Sequence, residues 1–285
     1  MKDTKLKEIL AKVKSFPTMP GAGAKMLALL EEPDTAVSEI EEILRYDPGL
    51  TANVLKLANS AYFGVPSKIG SLKQAVILLG LKRLMQLVVA SCVSAVMDKS
   101  VAGYEMPPGD LWRHSVAVSI AAEALAKKKK KNKVGREDVF TPALLHDVGK
   151  LVLGSFVKEE LEAIQNIASK GVPFVVAENM ILGTDHAEIG ARILAHWNLP
   201  LDVINAVRWH HDPDSPDDAN FQMDVVYLAN LLCQTPDTSG KAGGHAVELS
   251  PAVINRLGIQ VDQFESIAGK VADWVDELSG ALTFN

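Results

Sequence analysis

The stretch Leu144-Leu145-His146-Asp147-Val148-Gly149-Lys150 carries the reading from which the rest follows. Two leucines run into an adjacent His-Asp pair, and a lysine comes three residues after the aspartate. Thr141-Pro142 opens a helix just upstream, because proline is pre-organised for a first helical turn. A neutral imidazole beside a carboxylate supplies half of a ligand set for a divalent metal. The same pair also suits the hydrogen-bonded, inert end of a core helix. The remaining histidines decide between the two.

Outward from this stretch, the apolar residues recur at helical spacing and stop at prolines or glycines. Leu6, Ile9, Leu10 and Val13 share one face of a helix over Thr4 to Lys14, which Phe16-Pro17-Thr18-Met19-Pro20 ends. Helices follow over Gly23 to Glu31, from Ser38 as N-cap with Glu41 as its capping-box partner, and over Leu50 to Asn59. Ser71 caps a helix that Gly80 stops. Leu81 to Met97 is apolar nearly all round and is therefore central, although Lys82, Arg83 and Gln86 interrupt it too often for a membrane span. Later helices are expected over Leu111 to Lys130, Phe156 to Lys170, Phe174 to Leu182, His186 to His196 behind an Asp185 cap, Leu201 to His210 and Met223 to Cys233. Ser250-Pro251 starts the last pair, Ala252 to Leu257 and Val261 to Leu278. No segment alternates with period two for long enough to make a strand. The fold class is all-α. The Met106-Pro107-Pro108-Gly109 linker divides residues 1–105, one helical subdomain, from a second over 106–235; residues 236–285 add a glycine-bearing excursion and the C-terminal helices.

Composition narrows the function. Of 285 residues, 48% are hydrophobic and 22% charged, enough for a sizeable core. A net charge of −6 argues against a broad grip on nucleic acid, and the basic run from Lys127 to Lys131 suits a helix C-terminus facing solvent. Cys92 and Cys233 lie in apolar helical patterns, as buried reduced thiols do, and the N-terminus lacks the apolar core of a secretory leader. A soluble cytoplasmic protein without a membrane or nucleic-acid role is expected.

Five of the seven histidines fall at or near helix ends of the second subdomain: His114, His146, His186, His210 and His211. His196 and His245 stand apart as surface or cap residues. Nitrogen and carboxylate donors without thiolates suit Fe, Mn, Zn or Ni, as one ion or two. Lys150, at i+3 and i+4 from Asp147 and His146, is placed to reach a phosphate oxygen.

The order His114, His146-Asp147, Lys150, His186, His210-His211 resembles the HD phosphohydrolase superfamily and its HD-GYP branch. The first half is a closer match to the HDOD family. Phe16-Pro17-Thr18-Met19-Pro20, Asp47-Pro48, Leu57-Ala58-Asn59-Ser60-Ala61-Tyr62-Phe63-Gly64 and Leu78-Leu79-Gly80-Leu81 carry that resemblance, which spans about residues 14–212. It implies a signalling output module whose second subdomain is an HD-like helical bundle. By the HD pattern, His114, His146 and Asp147 hold one metal, with Asn230 standing where a final aspartate is expected. By the HD-GYP pattern, Asp147 also bridges to a second metal held by His186, His210 and His211, and Asp110 falls where some members add a carboxylate. The Gly-Tyr-Pro tract is absent, since the chain reads Asp212-Pro213-Asp214-Ser215-Pro216, which argues against cyclic di-GMP. Two functions remain open. The first is a regulatory module acting through a signalling partner; the alternative is a metal-dependent phosphohydrolase for a nucleotide or phosphodiester, with Asp147 and Lys150 as its catalytic residues.

Overall fold

The computed structural model describes residues 2–17, 19, 21–30, 36–45, 47–60, 63–127, 139–233, 249–259 and 267. They form helices and connecting turns. Among them there is no strand, and Val101 and Met106 make an isolated bridge. The helices are α1 (Lys2–Lys14), α2 (Gly21–Leu30), α3 (Val37–Arg45), α4 (Pro48–Ala58), α5 (Leu72–Leu79) and α6 (Leu81–Met97). A 3-10 turn, Ala102–Tyr104, leads to α7 (Asp110–Lys127), α8 (Phe140–Leu145), α9 (Lys150–Glu159) and α10 (Leu161–Ala168). Then come α11 (Phe174–Leu182), α12 (His186–His196), α13 (Leu201–Arg208), α14 (Phe221–Cys233) and α15 (Pro251–Leu257). His245, the excursion from Pro236 to Glu248, most of the basic run and the expected helix from Val261 to Leu278 lie outside the described residues.

Side-chain caps fix several of these helix starts. The Ser71 hydroxyl accepts the Gln74 N–H, Asp185 accepts that of Glu188, and Ser250 accepts that of Val253 ahead of Pro251. Two expectations are corrected. Ser38 is not an N-cap: α3 already begins at Val37, two residues of register earlier, and the Glu39 carboxylate reaches back to accept the Ala36 N–H, with no side-chain cap in return because residue 36 is alanine. Nor is Phe156 to Lys170 one helix. The backbone of Glu160 leaves helical angles, φ −110° and ψ 14°, and separates α9 from α10.

The chain divides into two compact units, one of Met1–Pro17 with Met97–Val271 and one built on Thr18–Val96. The linker reading places the division near residue 105; the compact units divide at residue 97, with α1 among the later helices. In the Thr18–Val96 unit, α3 packs on α2, α4 and α5, and α6 is buried along Arg83 to Ser94. Asn59 works there as a staple. Its amide donates to Leu55 O and Ile69 O at 2.7 and 2.8 Å and accepts the Ile69 N–H at 2.7 Å, closing the loop after α4 much as backbone would.

In the other unit, α7 packs on α8 and α14, α13 on α8, α12 and α14, and α9 on α12 and the 3-10 turn. α1 lies against α9, α11 and α12 and buries Ile9 and Val13, the positions its apolar spacing selects. Thus the start of α7, the α8–α9 junction, the start of α12 and the end of α13 are brought together.

Candidate metal centre

His146 and Asp147 are not inside a helix but in the four-residue junction between α8 and α9. The N–H groups of Val148, Lys150, Leu151 and Val152 bond to carbonyls three residues back, so the chain tightens toward 3-10 geometry. Side chains three apart then eclipse. Lys150 accordingly places its Nζ 2.6 Å from Asp147 Oδ2. A close approach of backbones fixes the junction against α12. A Cβ on Gly149 would lie 1.9 Å from His186 O and 2.6 Å from Gly190 N, so only glycine fits there.

Asp147 is the hub, and it is 1% exposed. Its Oδ2 faces His146 Nε2 at 3.3 Å and His114 Nε2 at 3.5 Å, and those two nitrogens are 3.2 Å apart. Its Oδ1 faces His186 Nε2 at 3.4 Å and His210 Nε2 at 3.8 Å, while His211 Nε2 lies 2.9 Å from that of His186. The residues therefore form two poles, His114–His146–Asp147 and His186–His210–His211, within each of which the donor atoms lie within 4.8 Å of one another.

The rings are oriented from behind. Nδ1 of His146 lies 2.7 Å from Ala143 O, and Nδ1 of His210 lies 2.6 Å from Val207 O. A carbonyl only accepts, so these Nδ1 atoms carry the proton and Nε2 presents its lone pair to Asp147. His186 is held by Glu178, whose Oε2 accepts both the His186 backbone N–H at 2.9 Å and its Nδ1–H at 2.7 Å.

Burial pushes His114 down to about 3, against the pull of Asp147. Burial first, then neighbouring histidines, holds His210 and His211 well below the ordinary imidazole value. Burial raises Asp147, but His146 and Lys150 outweigh it and keep the carboxyl well below the usual range. Neutral His114, His210 and His211 around an ionised Asp147 are protonation states that metal ligation requires.

The set fits a cation on further grounds. Asp147 Oδ1 and His210 Nε2 are buried without a hydrogen-bond partner, and both are acceptors facing one another. Two such atoms meeting in a dry site are costly unless a positive charge lies between them. The first pole's donor edges of 3.2 to 3.5 Å are close to those of a shell with ligands at roughly 2.1 Å, about 3.0 Å for octahedral and 3.4 Å for tetrahedral geometry.

Of the other sequence candidates, Asn230 is buried on α14 and its side chain hydrogen-bonds His114. Asp110 begins α7 and is exposed, as is His196 at the end of α12. Glu178 and Tyr104 were missed. Tyr104 brings its ring edge-on to His186 with centroids 6.0 Å apart, and Lys150 Nζ sits 5.3 Å from its centroid. Glu178 had a signal: it is the one acid of a largely apolar helix, four residues before Leu182 and so on the same stripe, and both are buried.

A family model described as the HDOD domain matches residues 16–213. A solved HDOD domain protein of unknown function from Geobacter sulfurreducens is 25% identical, with TM-score 0.77 over 98% of this chain and 96% of that one. A protein from Shewanella amazonensis SB2B, named as a candidate phosphohydrolase, is 27% identical, with TM-score 0.75 over 96% of this chain and 98% of that one. An uncharacterised protein of Treponema pallidum (strain Nichols) is 29% identical over 237 residues, which cover 82% of this chain and 45% of that protein. The chain thus spans less than half the length of the curated relative it matches.

Proposed function

Because this chain belongs to the HDOD family, we propose that it is a divalent-metal-binding HDOD module whose His–Asp cleft hydrolyses a phosphate ester, a nucleotide or phosphodiester. The observation that carries this reading is Asp147, whose two oxygens face different histidine clusters. His114, His146 and Asp147 Oδ2, with Asn230 alongside, would hold one cation; His186, His210, His211 and Asp147 Oδ1 would hold the other. Two such cations supply Lewis-acid polarisation of phosphoryl oxygens and acidify water at neutral pH. The chain's own residues do the rest. Asp147 stays ionised and spans both poles. Lys150, with its side chain 15% exposed at the rim, neutralises charge on an incoming phosphoryl group. Tyr104 packs its ring beside Lys150 and His186. The name of the Shewanella relative points to the same chemistry.

The test is metal analysis of tag-free protein, then turnover of nucleotides, cyclic dinucleotides and an aryl phosphodiester with Fe or Mn. Metal-dependent turnover is expected, with Asp147→Asn losing at least a hundredfold in rate. A chain that stays metal-free after reconstitution sinks the proposal.

A second reading keeps the metal but not the turnover: a regulatory module acting on a signalling partner in the cytoplasm. Asn230 favours it, since a neutral amide beside His114 binds a cation more weakly than a carboxylate. Metal uptake without hydrolysis of any of these substrates is its expected signature.

A further inference from the structure

The two poles are not equivalent, and the difference lies behind the ligands. At the first pole, the His146 ring is steadied by a neutral carbonyl, Ala143 O, and His114 is bonded by the neutral amide of Asn230. The carboxylate oxygen serving that pole, Asp147 Oδ2, is already engaged by the Lys150 ammonium at 2.6 Å. A cation there has to share its oxygen with a fixed positive charge. At the second pole His210 is likewise backed by a carbonyl, Val207 O, but the other two features differ. Asp147 Oδ1 is buried and unpartnered. His186 is backed by a carboxylate, Glu178, which is 0% exposed and grips both its backbone N–H and its Nδ1–H. A carboxylate hydrogen-bonded to the far nitrogen of a ligating imidazole fixes the ring's tautomer and makes Nε2 more basic.

Glu178 itself is unusual. Its carboxylate is buried, and the Tyr104 phenol lies beside it: burial first, then the charge of Glu178 and a hydrogen bond to it, raises that phenol well above its ordinary value. A carboxylate buried among neutral partners destabilises the fold unless another charge offsets it. Placed one imidazole away from a cation, it is offset.

We propose that Glu178 is a positioning residue that makes the His186–His210–His211 pole the tighter of two unequal metal sites sharing Asp147. The second pole fills first, and the His114–His146 pole fills only at higher metal concentration, so the two-metal state depends on metal supply. This rests on the metal-centre reading above.

The experiment is calorimetric and absorption titration of the metal-free full chain with Co(II). Wild type is expected to take up two equivalents in separate phases, the first tighter. Glu178→Gln keeps an acceptor oxygen for His186 and removes only the charge. It should weaken the first phase by roughly 10- to 100-fold, shift that phase's visible Co(II) bands, and leave the second phase unchanged. His114→Ala should remove the second phase and leave the first. The metal-free Glu178→Gln protein should be at least as resistant to urea as wild type, which separates positioning from mere packing. Equal phases in wild type, a Glu178→Gln titration identical to wild type, equal weakening of both phases, or loss of the tight phase in His114→Ala would each overturn the inequality. A wild-type chain that binds no Co(II) would overturn the metal centre as well.

Discussion

At the residue scale, the chemistry of the site depends on what stands behind each donor. The imidazoles of His146 and His210 are turned toward Asp147 by carbonyls of the preceding turn, three residues back in both cases. That local reach is legible in sequence once a helix end is recognised. The Glu178–His186 pairing is not, because the two residues are joined across a turn of the chain with no motif spacing of its own. The cysteines were legible: both sit in apolar periodic stretches and are buried. Burial raises Cys92 to about 11 and Cys233 to about 12, from an ordinary value of 9.0. Both thiols are therefore protonated at pH 8, and neither should react with a soluble disulfide reagent until the chain is unfolded. The folded state holds these protons more firmly than the unfolded one, so stability is unaffected below pH 9 and falls as pH rises from there toward the folded values. Urea midpoints measured between pH 8 and 11 should decline, and Cys233→Ala should flatten the decline.

At the element scale, the decisive feature is the break between α8 and α9. The helix that Thr141-Pro142 opens is expected to carry the His-Asp pair, yet the i→i−3 bonds of Val148, Lys150, Leu151 and Val152 tighten the chain there into a turn. Periodicity does not register that change, because the apolar positions of the two geometries coincide over four residues. The turn serves the site by letting Gly149 meet the first turn of α12, with Gly190 opposite. Gly149→Ala puts a methyl onto His186 O, and its expected cost is about 3 kcal/mol or more, because backbone rather than a flexible side chain must move. Urea unfolding measures the loss. The same variant should part Asp147 from His186 and abolish two-metal binding in the Co(II) titration, while a mere surface change at this position would alter neither.

At the scale of the whole molecule, α1 belongs with the helices of the site although more than eighty residues separate them in sequence. Phe16 stacks near Trp197 with centroids 6.0 Å apart, Trp197 donates to Pro17 O at 3.0 Å, and Lys5 pairs with Glu160. Ile9→Ala, in a position that is 0% exposed, should therefore cost about 2–5 kcal/mol and lower the urea midpoint of the unit that carries the metal centre. No helix among the described residues is long and apolar enough to cross a membrane, which the interrupted run in α6 already implied. What the amino-acid order determined unaided was local: the helices, their proline and glycine stops, the caps at Ser71, Asp185 and Ser250, and the identities of the ligand-type residues. These depend on neighbours within one or two turns, where spacing alone sets geometry. What only the tertiary structure decided was pairing across distance: Asp147 divided between two histidine clusters, Glu178 behind His186, Lys150 on one carboxylate oxygen and not the other, and α1 against α9, α11 and α12. Those relations depend on how helices cross, and crossing is set by the summed packing of buried faces and by backbone contacts such as Gly149 on His186, which no short stretch of sequence encodes.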